Sequence, residues 1–99
     1  MTEVVYTESA RSDLLDIWFY LADESLTAAD NTLDALERDG ELLSRQPLAG
    51  RERPELGAGI RSWPSSTPYI LFYITRADRL IVIRVLHHAR DITDIDLSN

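Results

Sequence analysis

Residues 69–87 read YILFYITRADRLIVIRVLH, two runs rich in isoleucine, valine, phenylalanine and tyrosine on either side of Arg76-Ala77-Asp78-Arg79. β-branched and aromatic residues in runs of this length, bounded by turn residues, predict two antiparallel strands, Tyr69–Thr75 and Leu80–His87. A connection of that size sets Thr75 opposite Leu80, which pairs Ile74 with Ile81, Phe72 with Ile83 and Ile70 with Val85. That face is expected to be the core, beneath the helices. The other face then carries Tyr69, Leu71, Tyr73, Val82, Arg84 and Leu86, too apolar for water and pierced by one arginine, and is expected to be a binding surface.

Working upstream, Ile60–Trp63 reads as a short strand, with Pro64-Ser65-Ser66-Thr67-Pro68 as its turn. Residues 46–59, QPLAGRERPELGAG, hold Pro47, Pro54 and three of the four glycines and read as one long loop. Before that loop the period is helical. Ala29, Leu33, Leu36, Gly40 and Leu43 step by three or four, with Thr27 and Asp30 as the capping signal and Pro47 as the stop. Gly40 inside this stripe is expected to mark close approach to the preceding helix or a weak point. That preceding helix buries Ala10, Leu14, Ile17, Trp18 and Leu21, with Arg11, Asp13, Asp16 and Asp23 mostly off the stripe. Leu15 and Phe19 form a second apolar edge, which suggests cover on two sides, one of them by a partner. Val4-Val5-Tyr6 is a first strand ahead of the cap signals Thr7 and Ser9. The expected order is β-α-α-β-β-β with a short C-terminal turn or helix, an α+β domain spanning residues 1–99 as a single unit.

Composition narrows the function classes. With 44% hydrophobic and 27% charged residues the chain has the material for one folded core. Cysteine is absent, which excludes a disulfide framework, a thiolate zinc site and a cysteine nucleophile. The longest apolar run, Tyr69–Ile74, is far short of the roughly 18–20 residues that span a bilayer. The N-terminus has no basic region ahead of an apolar stretch, so a signal peptide is not expected and the expected location is cytoplasmic. The net charge of −7 is unevenly spread. Residues 1–42 hold eleven acids and two arginines, residues 43–90 hold eight arginines and three acids, and the last nine residues hold three aspartates. Every cation is an arginine, whose planar fork suits carboxylate and phosphate. The basic half therefore suits an acidic protein segment or a phosphate backbone.

Few constellations carry chemistry. Asp30, Asp34, Glu37 and Glu41 share a helix face and read as a solvated surface with an Asp34–Arg38 pair. Gly57-Ala58-Gly59 precedes a strand, whereas a dinucleotide loop follows one. His87 and His88 point to opposite faces of a strand and find no third ligand, so no metal or cofactor is expected; each reads as a half-buried structural histidine, one being a possible general base. No serine stands in a nucleophile elbow. The arginines are more telling. Arg51 and Arg53 project from the long loop, Arg61 and Arg84 sit on strands, and Arg90 follows the last one. Arg84, in an apolar strand, needs a partner: Glu52, Glu55 or a tail aspartate inside the domain, or else an outside ligand in a cationic pocket with Arg51, Arg53 and Arg61.

LLDIWFYLAD in the first helix, QPLAGRERPEL through GIRSWP, YILFYI and above all IRVLHHARDI together resemble the ParE branch of the RelE/ParE toxin superfamily over almost the whole chain. The resemblance implies an N-terminal helical hairpin packed on a small, mostly antiparallel sheet. It also implies a toxin of a type II toxin–antitoxin module, neutralised by a ParD-like antitoxin in a hetero-oligomer, with DNA touched only indirectly through that antitoxin. DNA gyrase is the implied target, inhibited by binding and not by catalysis. On this reading Leu15, Trp18, Phe19, Arg61, Tyr69, Tyr73, Arg84 and Leu86 contact the antitoxin, and Arg51, Arg53 and Arg90 form the basic loop and target contact. Arg84→Ala is expected to weaken the antitoxin complex more than the fold. The sister RelE branch cleaves mRNA on the ribosome, and there Arg61, Arg84 and His88 would be the catalytic group. The chain departs from that branch after Arg90, where DITDIDLSN offers three acids and no tyrosine, histidine or lysine. A non-toxic co-regulator that serves only with its antitoxin is the third reading.

Overall fold

The long hairpin forms as the sequence predicts, β4 (Tyr69–Arg76) against β5 (Arg79–His87), in a computed structural model that describes residues 2–90. Its turn is tighter than expected: only Ala77 and Asp78 separate the strands, and Ala77 takes φ 51°, a left-handed conformation that favours glycine. Thr75–Leu80 and Ile74–Ile81 pair as the turn arithmetic requires. Beyond Tyr73–Val82 the register shifts by one residue, so that Phe72 faces Arg84, Leu71 faces Val85 and Ile70 faces Leu86. Ile83 is the extra residue of a β-bulge, so the expected Phe72–Ile83 and Ile70–Val85 pairs do not form.

Five strands make one mixed sheet in the order β1-β5-β4-β3-β2. β1 (Glu3–Tyr6) lies parallel to β5 at one edge, and β3 (Arg61–Pro64) is antiparallel to β4. At the far edge β2 (Arg51–Glu52) pairs with β3 inside the stretch expected to be loop throughout, which adds one short strand to the predicted order. α1 (Glu8–Ala22) and α2 (Leu26–Arg45) follow β1 as a hairpin. Thr7 caps α1: its Oγ1 accepts from the Ala10 N–H at 3.1 Å, and its hydroxyl donates to the Ile83 carbonyl at 3.0 Å, tying the helix start to β5. α2 starts earlier than Thr27, because Ser25 is the cap and accepts from Ala28 N–H at 3.1 Å. A serine with extended φ and ψ needs no acidic partner three residues on to serve as a cap, which is why the Thr27–Asp30 signal misled.

The helices cover the face opposite to the one expected. Tyr69, Leu71, Tyr73, Leu80, Val82 and Val85 form the main core with Ala10, Ile17, Leu36 and Leu43. The other face carries Phe72, Ile83 and Leu86, packed with Leu56, Ile60, Ile70, Ile74 and Ile81. Both faces are apolar, so alternation alone does not say which one a helix covers, and the bulge moves Val85 and Leu86 onto faces exchanged from a straight strand. Gly40 does mark a close approach, but to β1 and not to α1: a Cβ there would stand 3.0 Å from Tyr6 Oη and 3.6 Å from Val4 Cγ1. The expected C-terminal turn or helix and the three tail aspartates lie outside the described residues.

Candidate functional site

Amphipathic spacing explains what α1 leaves in solvent. Ala10 and Ile17 are buried and Leu14 and Leu21 pack at the core's margin, so the opposite side of the helix presents Leu15 and Phe19, 59% and 66% exposed. Tyr20 beside them is 75% exposed. Trp18 is the support of this strip. Its Nε1–H donates to Asp30 Oδ1 on α2 at 2.9 Å, and its ring meets Phe19 edge to face with centroids 5.4 Å apart. A donor anchored on the second helix fixes the indole, and the indole in turn backs the exposed phenyl ring.

Arg84 is held from inside. Its Nε and Nη2 donate to Asp13 Oδ2 and Oδ1 at 2.7 and 2.9 Å, and Asp13 Oδ2 also accepts the Val85 N–H at 2.9 Å. Among the described residues the partner is therefore Asp13, and not Glu52 or Glu55; the tail aspartates lie outside the described residues. Asp13 stands three residues after Ala10 and four before Ile17, which puts it on the sheet-facing stripe and not off it. Two charged side chains meet there with only 14% and 11% of their surface exposed, where a bidentate fork is the arrangement that offsets desolvation.

The other arginines are engaged separately, and the expected pocket of Arg51, Arg53, Arg61 and Arg84 does not assemble. Arg61 Nη1 donates to the Gly50 carbonyl at 2.7 Å and the Leu48 carbonyl at 3.4 Å, with Glu52 at 3.6 Å. It thus braces the turn after α2. Tyr73 braces the same turn from below: its hydroxyl donates to the Pro47 carbonyl at 2.8 Å and accepts the Gly50 N–H at 2.9 Å. Burial raises the Tyr73 hydroxyl pKa above the ordinary tyrosine value, against the Gly50 hydrogen bond and the Arg61 charge, which lower it. Arg53 pairs with Glu55 at 2.7 Å and donates to Ser62 Oγ at 3.2 Å. The hydrogen bond from Arg53 Nε to Glu55 Oε2, followed by Glu55's own backbone, holds the Glu55 carboxyl below its usual range. Arg51 and Arg90 are exposed.

Of the eight residues expected to contact a partner, Tyr69 and Tyr73 are buried in the helix-facing core and Leu86 is buried on the opposite face. Burial raises the Tyr69 hydroxyl pKa, with a smaller contribution from Tyr20. Among the described residues no hydrogen bond joins Arg61, Arg84 and His88, the group a nuclease would need. His87 and His88 do not point apart as straight-strand residues would: their rings stack with centroids 4.5 Å apart. His87 Nδ1 accepts the Ala89 N–H at 3.1 Å, and the His88 N–H donates to the Pro68 carbonyl at 2.9 Å. The His87 ring also meets Tyr69 edge to face and lines, with Tyr20, Leu21, Thr32, Pro68 and Tyr69, a cavity of about 510 Å³. Among the described residues no cluster of three or more histidine, cysteine or acidic side chains could hold a metal ion.

Against this geometry, the model of one family, described as ParE toxin of type II toxin-antitoxin system, parDE, matches residues 4–92. The chain belongs to the ParE toxin family. Its fold is similar to that of a chain in a solved structure titled "Chromosomal ParDE TA system from P. aeruginosa", with a TM-score of 0.73 and 18% identity, over 88% of this chain and 96% of that one. No curated protein matches the sequence. Membership of the ParE family puts the exposed strip on α1 in the setting of toxin–antitoxin pairs. Sequence reasoning placed Leu15 and Phe19 on this edge and Trp18 on the buried stripe, and missed the exposure of Tyr20 and the partners of Asp13 and Asp30. The signals for the two aspartates were present: Asp13 at helical spacing within the buried stripe, and an indole N–H that needed an acceptor.

Proposed function

We propose that this ParE-family chain is a toxin that acts by binding and not by catalysis, with DNA gyrase as its target and a cognate ParD-like antitoxin as its neutralising partner in a cytoplasmic hetero-oligomer. The observation that carries this reading is the apolar strip of Leu15 and Phe19, backed by Trp18, on a helix whose opposite side is already buried. In a family defined by paired toxins and antitoxins, a surface of that kind is suited to a partner segment that covers it. Arg61 and Arg84 act in the fold, as braces of the Pro47–Gly50 turn and of the α1–β5 junction. Their commitment to internal carbonyls and a carboxylate favours the binding reading over phosphodiester cleavage, which needs cations available to phosphate. Exposed Arg51 and Arg90, with Arg53 between loop and sheet, are the target-facing cations. Among the described residues no helix is long and apolar enough to cross a membrane.

The test is a calorimetric titration of the purified chain with the protein encoded by the adjacent reading frame, repeated with Phe19→Ser. Tight binding by the native chain and about tenfold or greater loss in the variant, with an unchanged melting temperature, is the expected result. No binding by the native chain would overturn the proposal.

A further inference from the structure

Around Phe19 the strip on α1 is flanked by acids; the helix's one cation, Arg11, lies four residues before Leu15 at the other end of the strip and donates to the Tyr6 carbonyl at 2.9 Å. Asp16 stands three residues before Phe19 and Asp23 four after it, so both lie on its side of the helix, and Glu24 follows at the helix end. All three are exposed, and among the described residues none of them forms an ion pair. The last turn of α1 has no basic residue, so Asp23 and Glu24 add negative charge where the helix dipole is already negative, an arrangement that works against the helix. Acids that cost the fold and pair with nothing inside it are suited to an outside partner.

We infer that the antitoxin segment covering this face is cationic and amphipathic, with apolar side chains on Leu15 and Phe19 and lysine or arginine side chains meeting Asp16, Asp23 and Glu24. This rests on the antitoxin reading above and adds the chemistry of the partner. Two other occupants fit poorly. The chain's own last nine residues carry three aspartates and no cation. A second copy laid face to face would set the same acids against each other, which like-charge repulsion disfavours. A cation over the Trp18 and Phe19 rings gains a further attraction that no acidic segment provides.

The experiment titrates the adjacent-frame protein into the full chain and into the triple variant Asp16→Asn, Asp23→Asn, Glu24→Gln, at about 50 and about 300 mM salt. The native chain is expected to lose affinity as salt rises. The triple variant is expected to bind about tenfold more weakly at low salt, with a flattened salt dependence, while melting at the same or a higher temperature. A triple variant that binds as tightly, with the native salt dependence, overturns the inference and leaves the antitoxin reading standing. A native chain that does not bind at all overturns the antitoxin reading, and this inference with it.

Discussion

Asp13→Ala removes three hydrogen bonds with one substitution: two from the Arg84 guanidinium at 2.7 and 2.9 Å and one from the Val85 N–H at 2.9 Å. Removing one partner of a buried pair costs about 3–5 kcal/mol, and because 14% and 11% of the two side chains remain exposed the lower end applies, about 3 kcal/mol. For a domain of this size each kcal/mol moves the melting temperature by about 4–8 °C, so a fall of roughly 12–24 °C is expected by calorimetry or circular dichroism. Arg84→Met, which keeps length and loses charge, completes a double-mutant cycle. Asp13→Ala with Arg84→Met should be less destabilised than the sum of the single variants, by about 1.5–3 kcal/mol, since neither charge is then left without the other. Additivity within about 0.5 kcal/mol would refute the reasoning and return Arg84 to the role expected from sequence alone, a contact whose loss weakens a partner complex more than the fold.

Tyr73→Phe leaves the Gly50 N–H and the Pro47 carbonyl without the hydroxyl that bridges them, at an expected cost of about 1–3 kcal/mol and faster hydrogen exchange at the Gly50 amide. Ala77→Gly relieves a left-handed backbone, and the denaturant midpoint should rise by the equivalent of about 0.5–1 kcal/mol. Alkaline pH should destabilise the fold. Tyr6, Tyr69 and Tyr73 all have raised pKa values, so above the unfolded tyrosine value near 10 the unfolded chain releases protons that the native chain keeps, and stability is lost as pH rises. Burial is the leading cause at each, joined at Tyr6 by the Glu37 and Glu41 carboxylates; a denaturation midpoint that is flat from about pH 9 to about 11 would contradict this.

Local chemistry made most of the architecture legible. The β-branched run, the turn at Arg76–Arg79, the two apolar stripes and the prolines around the long loop carried the elements and their order, because each is a short-range signal. The face of the sheet was not legible. Its two sides are nearly equal in apolar content, and the choice between them depends on tertiary contacts such as the Tyr73 hydroxyl meeting the turn after α2. The bulge at Ile83 leaves no trace in composition either, yet it decides that Val85 and Leu86 change sides. Of the expected contact residues, those on α1 were readable because exposure on a helix follows from period alone, as Leu15 and Phe19 show. Those on strands inherited the inverted face, which is why Tyr69 and Tyr73 proved to be core.

The central claim, a toxin that works by binding, is tested most directly by adding the purified chain to gyrase supercoiling and cleavage reactions and, in parallel, to translating ribosomes with a defined message. The account predicts inhibited gyrase, reversal by the adjacent-frame protein, and intact message. Cut message with unaffected gyrase would contradict it.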